Sequence, residues 1–423
     1  MNLQEWLAYQ QRVHPTDMEL GLDRLRAVAA KLGPIKPAKR VISVAGTNGK
    51  GSTAAMIDAI ARASGWRVGL YTSPHLQRYN ERVRIDGREV EDASLVAAFE
   101  RIEAARGDIT LTYFEYATLA ALLLFADADL DLAVLEVGLG GRLDAVNLID
   151  ADVAVITTVA LDHMEYLGND RDAIGVEKGG IMRRIRPLIL AELDPPESLL
   201  KLADQIGAKL QRVGKDFSAT MGFGGKWRYS AGGQHLDLPV PMPATTAQLG
   251  NAAAAITALR ALEVDGFPSD DAIRDGVSSS RLPARLQRIV DDNGVEWIID
   301  VAHNPQAARE LSQWLIRNRA AGSTQAVFAA LGDKDIPNLI GPLLTCVDVW
   351  RLAGLTDQSS RGISVEDMWG QVAGLLSRTL SSRHATVNEA LTQARQQAQR
   401  GDRIVVFGSF FTAASALKEL EAG

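Results

Sequence analysis

The chain alternates short runs of aliphatic and β-branched residues with segments of helical periodicity, in two successive series. This alternation is typical of parallel strands joined by right-handed helical crossovers. The first series predicts strands at Val41–Ala45, Val68–Tyr71, Leu132–Val137, Val153–Thr157 and Pro187–Leu190. The second predicts strands at Glu296–Asp300, Ala326–Ala330, Val347–Trp350 and Arg403–Phe407. An α/β fold follows, and in such folds ligands bind at the carboxyl ends of the strands.

The length of 423 residues predicts two domains, because single hydrophobic cores stop growing near ~250–300 residues. Arg281–Arg285 is interpreted as a hinge, which gives domains at 1–283 and 284–423 with an active site expected in the cleft between them. The first is expected to be a P-loop ATPase-like domain with a mostly parallel sheet, and the second a smaller Rossmann-like α/β domain. Five glycines within Met221–His235 predict a small antiparallel excursion in the first domain.

Composition excludes several classes of protein. The single cysteine, Cys346, rules out an internal disulfide and any multi-cysteine metal site. The N-terminus has no basic segment followed by an apolar one, and the longest apolar stretch, Leu119–Ala126, is far shorter than the roughly 20 residues of a membrane span. The net charge of −7 disfavours a nucleic-acid partner. We therefore expect a cytoplasmic enzyme with no nucleic-acid or membrane partner.

The segment Gly46-Thr47-Asn48-Gly49-Lys50-Gly51-Ser52 lies between the first predicted strand and a helix expected to begin near Gly51. A glycine-rich turn in this position directs backbone N–H groups at a phosphate, and Lys50 supplies a mobile cation. The spacing departs from the usual phosphate loop, since Val44 stands at the first glycine position and Gly51 follows the lysine. Taken alone, the segment is also compatible with a glycine-rich turn and a solvated lysine.

This loop resembles the nucleotide loop of folylpolyglutamate synthases, the folate branch of the Mur ligase superfamily. Further segments resemble that family's motifs in their order along the chain: Thr72-Ser73-Pro74-His75-Leu76, Glu81-Arg82-Val83, Glu136 to Asp144, Leu161-Asp162-His163, Glu177-Lys178, Asp300 to Pro305 and Gly408-Ser409-Phe410. Leu111-Thr112-Tyr113-Phe114-Glu115 resembles the bacterial subgroup that makes both dihydrofolate and the polyglutamate tail. The resemblance implies an ATP-dependent ligase that adds L-glutamate to dihydropteroate and to reduced folates through an acyl phosphate. It also implies ATP and two Mg²⁺ ions as cofactors, and a monomer.

Ser73, Glu136 and His163 each end a predicted strand or follow one closely, so parallel strands bring them to the same sheet edge as Lys50. Alone, Glu136 is equally compatible with a strand-end charge, and His163 with a hydrogen-bonded loop histidine. The resemblance implies that the three bind Mg²⁺. It further implies that Lys178 is carbamylated and binds a second Mg²⁺, although Gly179 stands where the family usually has alanine.

The resemblance assigns the remaining site residues. Contacts to ATP are implied for Thr47, Asn48, Gly49, Lys50, Gly51, Ser52, Asn251, Arg285 and Asp300, and these segments predict that ATP bridges the domains. The pterin substrate is expected to meet Arg12, Val13, His14, Arg82, Thr112, Tyr113, Phe114 and Glu115. Catalytic roles are expected for Lys50 and for His303, which would orient the glutamate or the transferring phosphate.

The alternatives for these residues are ordinary structural roles. Asn251, expected to open an alanine-rich helix, is compatible with a helix cap, Arg285 with a solvated side chain, and Tyr113 and Phe114 with the core. The residues suggest no general base. Rival functions are a cell-wall ligase of the same superfamily, a nucleotide-dependent switch or ATPase, and a simple phosphotransferase.

Overall fold

The computed structural model describes residues 1–16, 19–222 and 224–422. The chain forms two compact units, Met1–Arg281 and a second that begins at Leu282. Each is an α/β unit, as predicted. In the part of the chain that is described, no helix is both long and apolar enough to cross a membrane.

The first unit contains an eight-stranded sheet in the order β4-β3-β2-β5-β1-β6-β7-β8. Strands β2, β5, β1, β6, β7 and β8 run parallel, and β3 and β4 are antiparallel additions at one edge. The strands are β1 Arg40–Ala45, β2 Val68–Tyr71, β3 Val83–Ile85, β4 Arg88–Glu89, β5 Leu132–Glu136, β6 Val153–Ile156, β7 Pro187–Leu190 and β8 Lys209–Arg212. The five strands predicted from β-branched runs are confirmed. The short, partly polar strands β3, β4 and β8, which lie at or next to the edges of the sheet, were not predicted.

Helices cover both faces of this sheet. They are α1 Leu3–Val13, α2 Asp23–Leu32, α3 Lys50–Ala63, α4 Asp92–Arg106, α5 Tyr113–Asp127, α6 Met164–Leu167, α7 Arg171–Gly179, α8 Glu197–Ile206, α9 Thr246–Arg260 and α10 Asp270–Ser279. Alternate residues of β1 belong to different cores: Ile42 and Val44 pack with α3 and α9, and Val41 and Ala45 pack on the opposite face. The central strand is therefore buried on both sides, as parallel sheets usually are.

The predicted antiparallel excursion is confirmed as a three-stranded sheet of β9 Phe217–Met221, β10 Lys226–Ala231 and β11 Gln234–Pro239. Within that stretch, Phe223 lies outside the described residues. Trp227 and Tyr229 are buried in the same core as α9. Helix α9 begins at Thr246 with Thr245 as its N-cap, so the prediction that Asn251 opens this helix is wrong. Asn251 lies inside the helix rather than at its N-terminus, so its side chain does not cap the helix and is available for other contacts.

The second unit contains a six-stranded sheet in the order β12-β13-β17-β14-β15-β16, in which only β12 is antiparallel to its neighbour. Its strands are β12 Gln287–Val290, β13 Glu296–Ile299, β14 Thr324–Phe328, β15 Val349–Ala353, β16 Leu380–His384 and β17 Arg403–Phe407. Its helices are α11 Pro305–Arg317, α12 Ile336–Ile340, α13 Val365–Val372, α14 Val387–Gln397 and α15 Phe410–Ala422. The four predicted strands are present, and β12 and β16, at the two edges, were not predicted.

The carboxamide of Gln10, on α1, is buried without a hydrogen-bond partner among the described residues. Gln10 is 1% exposed, and neither its Oε1 nor its Nε2 atom bonds to any residue in the described ranges. The adjacent Tyr9 is well satisfied, since its hydroxyl donates to Glu103 at 2.8 Å and accepts from Arg106 at 2.7 Å. A buried polar group without a partner costs about 1–3 kcal/mol.

Replacing Gln10 by leucine should therefore stabilise the protein. We expect Gln10→Leu to raise the free energy of unfolding by about 1 kcal/mol, because it removes an unsatisfied carboxamide and keeps the side-chain volume. Thermal unfolding followed by circular dichroism measures the change. The control is Gln11→Leu on the exposed side of α1, which should change stability by less than about 0.5 kcal/mol. A lower transition midpoint for Gln10→Leu alone would contradict the assignment.

Candidate active site

The phosphate loop connects β1 to α3, which begins at Lys50, one residue before the predicted start. Gly49 caps the helix with φ of 82°, in the left-handed region that favours glycine. The ammonium group of Lys50 donates to the carbonyl oxygens of Gly46 at 3.1 Å and Thr47 at 3.3 Å. The lysine therefore lies folded over its own loop, at the N-terminus of a buried helix.

Two threonines that follow β6 hold the loop from the side. The Asn48 amide donates to Thr158 Oγ1 at 2.9 Å, and Thr157 Oγ1 donates to the Asn48 carbonyl at 2.6 Å. A Cβ atom on Gly46 would lie 1.8 Å from Thr157 Oγ1, so only glycine fits there. Because no side chain is present at Gly46, the backbone N–H groups of the loop stay accessible, as phosphate binding requires.

Helix α9 contacts the opposite side of the loop through two carboxamides. A Cβ atom on Gly49 would lie 2.5 Å from Asn251 Oδ1. Gln248 donates to Ser52 Oγ at 3.2 Å and accepts from Asn251 Nδ2 at 3.3 Å. The structure thus brings together the predicted residues Asn251 and Ser52, and it adds Gln248, which the sequence reasoning missed. Its position three residues before Asn251, on the same helix face, was the available signal.

Ser73 and Glu136, two of the predicted metal ligands, lie together. The Ser73 amide donates to Glu136 Oε2 at 3.1 Å, and Glu136 ends β5 opposite Val44 of β1. His163 follows β6, the other neighbour of β1, and caps α6 in the left-handed conformation with φ of 50°. Across the described ranges, no three His, Cys, Asp or Glu side chains are arranged to hold a metal ion. The oxygen donors of Ser73 and Glu136 fit Mg²⁺, which binds few protein ligands and retains several waters or phosphate oxygens.

A buried lysine lies near the phosphate loop. Lys178 on α7 is 3% exposed, and burial, assisted by the charge of Lys50, lowers its pKa to about 7. Asp162 and Asp144 act in the opposite direction. Burial raises the pKa of Asp144 to about 6, although its carboxylate accepts the amides of Leu139 and Val146. Burial therefore favours the neutral amine of Lys178, and Asp144 and Asp162 lie near a site for which they were not predicted.

Gly179, the departure from the family pattern, is packed tightly. A Cβ atom there would lie 2.8 Å from Leu202 Cδ2 and 2.8 Å from Met182 Cε. The glycine is the last residue of α7 and has an ordinary helical position rather than a left-handed one. Glycine at position 179 therefore leaves room for the side chains of Leu202 and Met182.

Thr112 and Glu115 form a capping box at the start of α5, in which Glu115 Oε2 accepts the Thr112 amide at 2.7 Å. Glu115 Oε1 also pairs with Arg24 at 3.2 Å. Arg24 pairs in turn with Glu19, which contacts His14 Nε2 at 3.3 Å. Much of the hydrogen-bonding capacity of Glu115 is therefore used within the protein.

The other two predicted residues of this N-terminal segment lie elsewhere. Arg12 is exposed and donates to the Ala8 carbonyl of its own helix at 3.1 Å. Val13 is half-buried and packs against the hydrophobic core. The structure joins His14 to Glu115 through Glu19 and Arg24, and it does not bring Arg12 into that chain of contacts.

Arg82 is held among aromatic rings. Its guanidinium carbon lies 5.4 Å from the Tyr79 ring centroid and 5.5 Å from that of Tyr113, and its Nε donates to His75 Nδ1 at 2.9 Å. Burial and the adjacent arginine lower the pKa of His75 to about 4. The Phe114 ring lies 6.1 Å from the ring of Tyr71 and against Gly138, where a Cβ atom would lie 2.5 Å from Phe114 Cζ.

In the second unit, the residues that were predicted to contact ATP also lie close together. Asp300 follows β13 and accepts the amides of Leu286 and Ala302, each at 2.7 Å. Burial raises the pKa of Asp300, and the nearby Arg285 opposes that shift. The Arg285 guanidinium lies 5.2 Å from the Phe410 ring, and His303 lies 5.9 Å from the same ring. Arg285, Asp300 and His303 therefore lie at the carboxyl edge of this sheet.

Two family models match the chain. The Mur ligase middle domain matches residues 44–259, and the Mur ligase glutamate ligase domain matches residues 284–410. The dihydrofolate synthase/folylpolyglutamate synthase of Escherichia coli strain K12 is 43% identical over 423 residues, which cover 99% of this chain and 96% of that protein. The chain belongs to the dihydrofolate synthase/folylpolyglutamate synthase branch of the Mur ligase family. The predicted resemblance is confirmed.

Solved structures of this family have the same fold. Escherichia coli FolC in complex with DHPP and ADP has a TM-score of 0.92 and 42% identity, covering 100% of this chain and 98% of that one. A bifunctional folylpolyglutamate synthase/dihydrofolate synthase with Mn, AMPPNP and L-glutamate bound has a TM-score of 0.90 and 43% identity, with the same coverage. The first of these proteins therefore binds ADP, and the second binds AMPPNP together with Mn.

A methyl group at Gly49 should disrupt the phosphate loop. Because the added Cβ would meet Asn251 and the residue has a left-handed φ, Gly49→Ala should weaken ATP binding at least about tenfold. Isothermal titration with a non-hydrolysable ATP analogue measures this. Gly250→Ala is the control, since a Cβ on Gly250 meets nothing within 4 Å. Equal affinities of the two variants would contradict the close contact.

Proposed function

We propose that this protein joins L-glutamate to dihydropteroate, forming dihydrofolate, and to reduced folates, forming polyglutamates, with ATP as the source of energy. The proposal is based on three features that lie together at one edge of the first sheet. The phosphate loop, the Ser73–Glu136 pair and the buried Lys178 lie at or near the carboxyl ends of β1, β5 and β6. Family membership over the whole chain supports the folate substrate.

The chemistry has two steps. An oxygen of the substrate carboxylate attacks the γ-phosphorus of ATP, an O–P bond forms, and ADP leaves with the electron pair of the broken P–O bond. The amine of glutamate then attacks the acyl carbon, and inorganic phosphate leaves. The amine proton passes to solvent, since no general base is assigned. Lys50 and the loop amides stabilise the negative charge that develops on the phosphoryl group.

Ser73, Glu136 and His163 would hold one Mg²⁺ ion, and a carbamylated Lys178 would help to hold a second. Bound there, the ions would neutralise the negative charge on the β- and γ-phosphate oxygens. Arg285, Asp300 and Asn251 are the proposed contacts to the rest of the nucleotide, and His303 the proposed contact to glutamate or phosphate. The monomeric state and the cytoplasmic location stay predictions.

Release of ADP with different substrates tests the proposal. We expect sustained release of ADP over many turnovers only when glutamate is supplied together with dihydropteroate or with a reduced folate, because the acyl phosphate needs the carboxylate and its turnover needs the amine. A response to reduced folate but not to dihydropteroate would remove the synthase half of the proposal. Release from ATP alone would instead favour a nucleotide-dependent switch, and a response to a nucleotide-linked cell-wall precursor would favour the cell-wall ligase.

The role of Lys50 is tested in the same assay. Lys50→Ala should lower the rate about 100- to 1,000-fold, which is the usual cost of removing one group that stabilises transition-state charge. Lys39→Ala is the matched control, because Lys39 pairs with Asp131 at the surface. A near wild-type rate for Lys50→Ala would refute the proposed role.

Carbamylation of Lys178 has a spectroscopic test. The neutral amine reacts with CO₂ to give a carbamate and one proton, so the modification should increase as the pH rises through the lysine pKa of about 7. Protein equilibrated with ¹³C-bicarbonate should show a carbamate ¹³C signal that disappears in Lys178→Met. The exposed lysine variant Lys201→Met should retain the signal. A spectrum without the signal at a pH above that pKa would contradict the modification.

A further inference from the structure

Arg82 is a buried cation without a carboxylate partner. It is 7% exposed, and among residues 1–16, 19–222 and 224–422 it forms no ion pair with an aspartate or glutamate. The acid nearest in sequence, Glu81, faces away, since its carboxylate accepts the amides of Leu76, Gln77 and Arg78 at 2.7–2.8 Å. A buried charge of this kind is normally paired.

The hydrogen-bond partner of Arg82 is a neutral ring. The Nε of Arg82 donates to His75 Nδ1 at 2.9 Å. Because a guanidinium can only donate, Nδ1 carries no proton and the imidazole is uncharged in this contact. The pair therefore keeps the full positive charge of the arginine. The nearby Tyr71 hydroxyl is also a neutral group, so the edge formed by the two terminal nitrogens of Arg82 has no charged acceptor among the described residues.

Two further observations indicate that the partner of this edge is a ligand. The hydroxyl of Tyr79, whose ring lies against the guanidinium, is buried and has no hydrogen-bond partner among the described residues. The Arg82 carbonyl accepts the Thr72 amide at 3.0 Å, which joins Arg82 to the segment that carries Ser73. Arg82 is thus held beside the segment that supplies Ser73, one of the proposed metal ligands.

We propose that His75 is a positioning residue that orients Arg82 to bind a carboxylate of the pteroate or folate substrate. The inference rests on the proposed function and deepens it. A neutral acceptor is needed because an aspartate or glutamate at position 75 would neutralise Arg82 and compete with the substrate for the guanidinium. Bidentate binding by the remaining edge is the usual mode of carboxylate recognition by arginine.

Three substitutions separate charge from hydrogen bonding. His75→Asn keeps a neutral hydrogen-bond acceptor. His75→Asp introduces a side chain of the same shape as asparagine but with a charged acceptor, and His75→Leu removes the acceptor. We expect the KM for dihydropteroate to stay within about threefold of wild type in His75→Asn and to rise at least about tenfold in the other two. The KM for ATP should change less than about twofold in all three, because the phosphate loop is untouched.

The controls address folding and general charge effects. His75→Asn and His75→Asp lose the same imidazole packing, so a defect that comes only from packing would be shared by both. His235→Asp places the same charge at an exposed histidine of β11 and should leave both KM values unchanged. Equal KM values for His75→Asn and His75→Asp, or a wild-type KM for His75→Leu, would overturn the proposal. So would an equal rise in the KM for ATP.

A failure of the proposed ligase function can be distinguished from a failure of the role proposed for His75. If the wild-type protein does not turn over dihydropteroate and glutamate, equilibrium binding of dihydropteroate is measured for the wild type and the three variants by quenching of tryptophan fluorescence. Weaker binding by His75→Asp and His75→Leu only would support the role of His75 although the ligase reaction had failed. Uniform binding, or no binding by the wild type, would overturn it.

Discussion

The site depends on a steric constraint at two glycines. Gly46 lies against Thr157 and Gly49 lies against Asn251, at distances that leave no room for a side chain. These contacts join three parts of the first unit that are far apart in sequence: the turn after β1, the segment after β6 and helix α9. The bare backbone needed for a phosphate is therefore also the contact surface that holds the neighbouring elements in place. Requirements of packing and of binding coincide at the same two residues.

Around this loop, buried charges are left incompletely balanced. Lys178 shares its surroundings with a second cation, Lys50, and Asp144 is desolvated while it accepts backbone amides. Arg82 has aromatic rings and a neutral histidine where a surface arginine would have a carboxylate. Each arrangement raises the free energy of the folded protein relative to a fully paired one. Such unpaired charge is typical of sites whose partner is a bound molecule.

Much of the fold could be predicted from the sequence, because central strands such as β1 and β5 consist of β-branched and aliphatic residues that the buried side of a sheet requires. The edge strands β8 and β16 could not, since Lys209–Arg212 and Leu380–His384 are largely polar and are strands only through backbone pairing. The start of α9 was missed because the alanine run after Asn251 is the more conspicuous helical signal, although Thr245 forms the cap.

The candidate site could be predicted as a set of segments but not as a set of contacts. The family motifs identify Lys50, Ser73, Glu136 and Lys178, and the adjacent amides and strands give physical reasons for their proximity. Gln248 was missed because its spacing to Asn251 indicates a shared helix face but not the contact with Ser52, and Asp144 because its neighbours Lys50 and Lys178 are distant in sequence. Glu115 illustrates the converse, since the Thr-x-x-Glu spacing that marks Thr112–Glu115 is also an ordinary capping box.

The contact of Lys50 with its own loop affects how easily a phosphate leaves. Two of the three N–H bonds of its ammonium are directed at the Gly46 and Thr47 carbonyls. An incoming phosphate must compete with these oxygens, so part of the attraction is offset by contacts that are given up. The same oxygens are available to the ammonium again once the phosphate has left. The net affinity of the loop for a phosphate is therefore lower than it would be for a lysine without these two contacts.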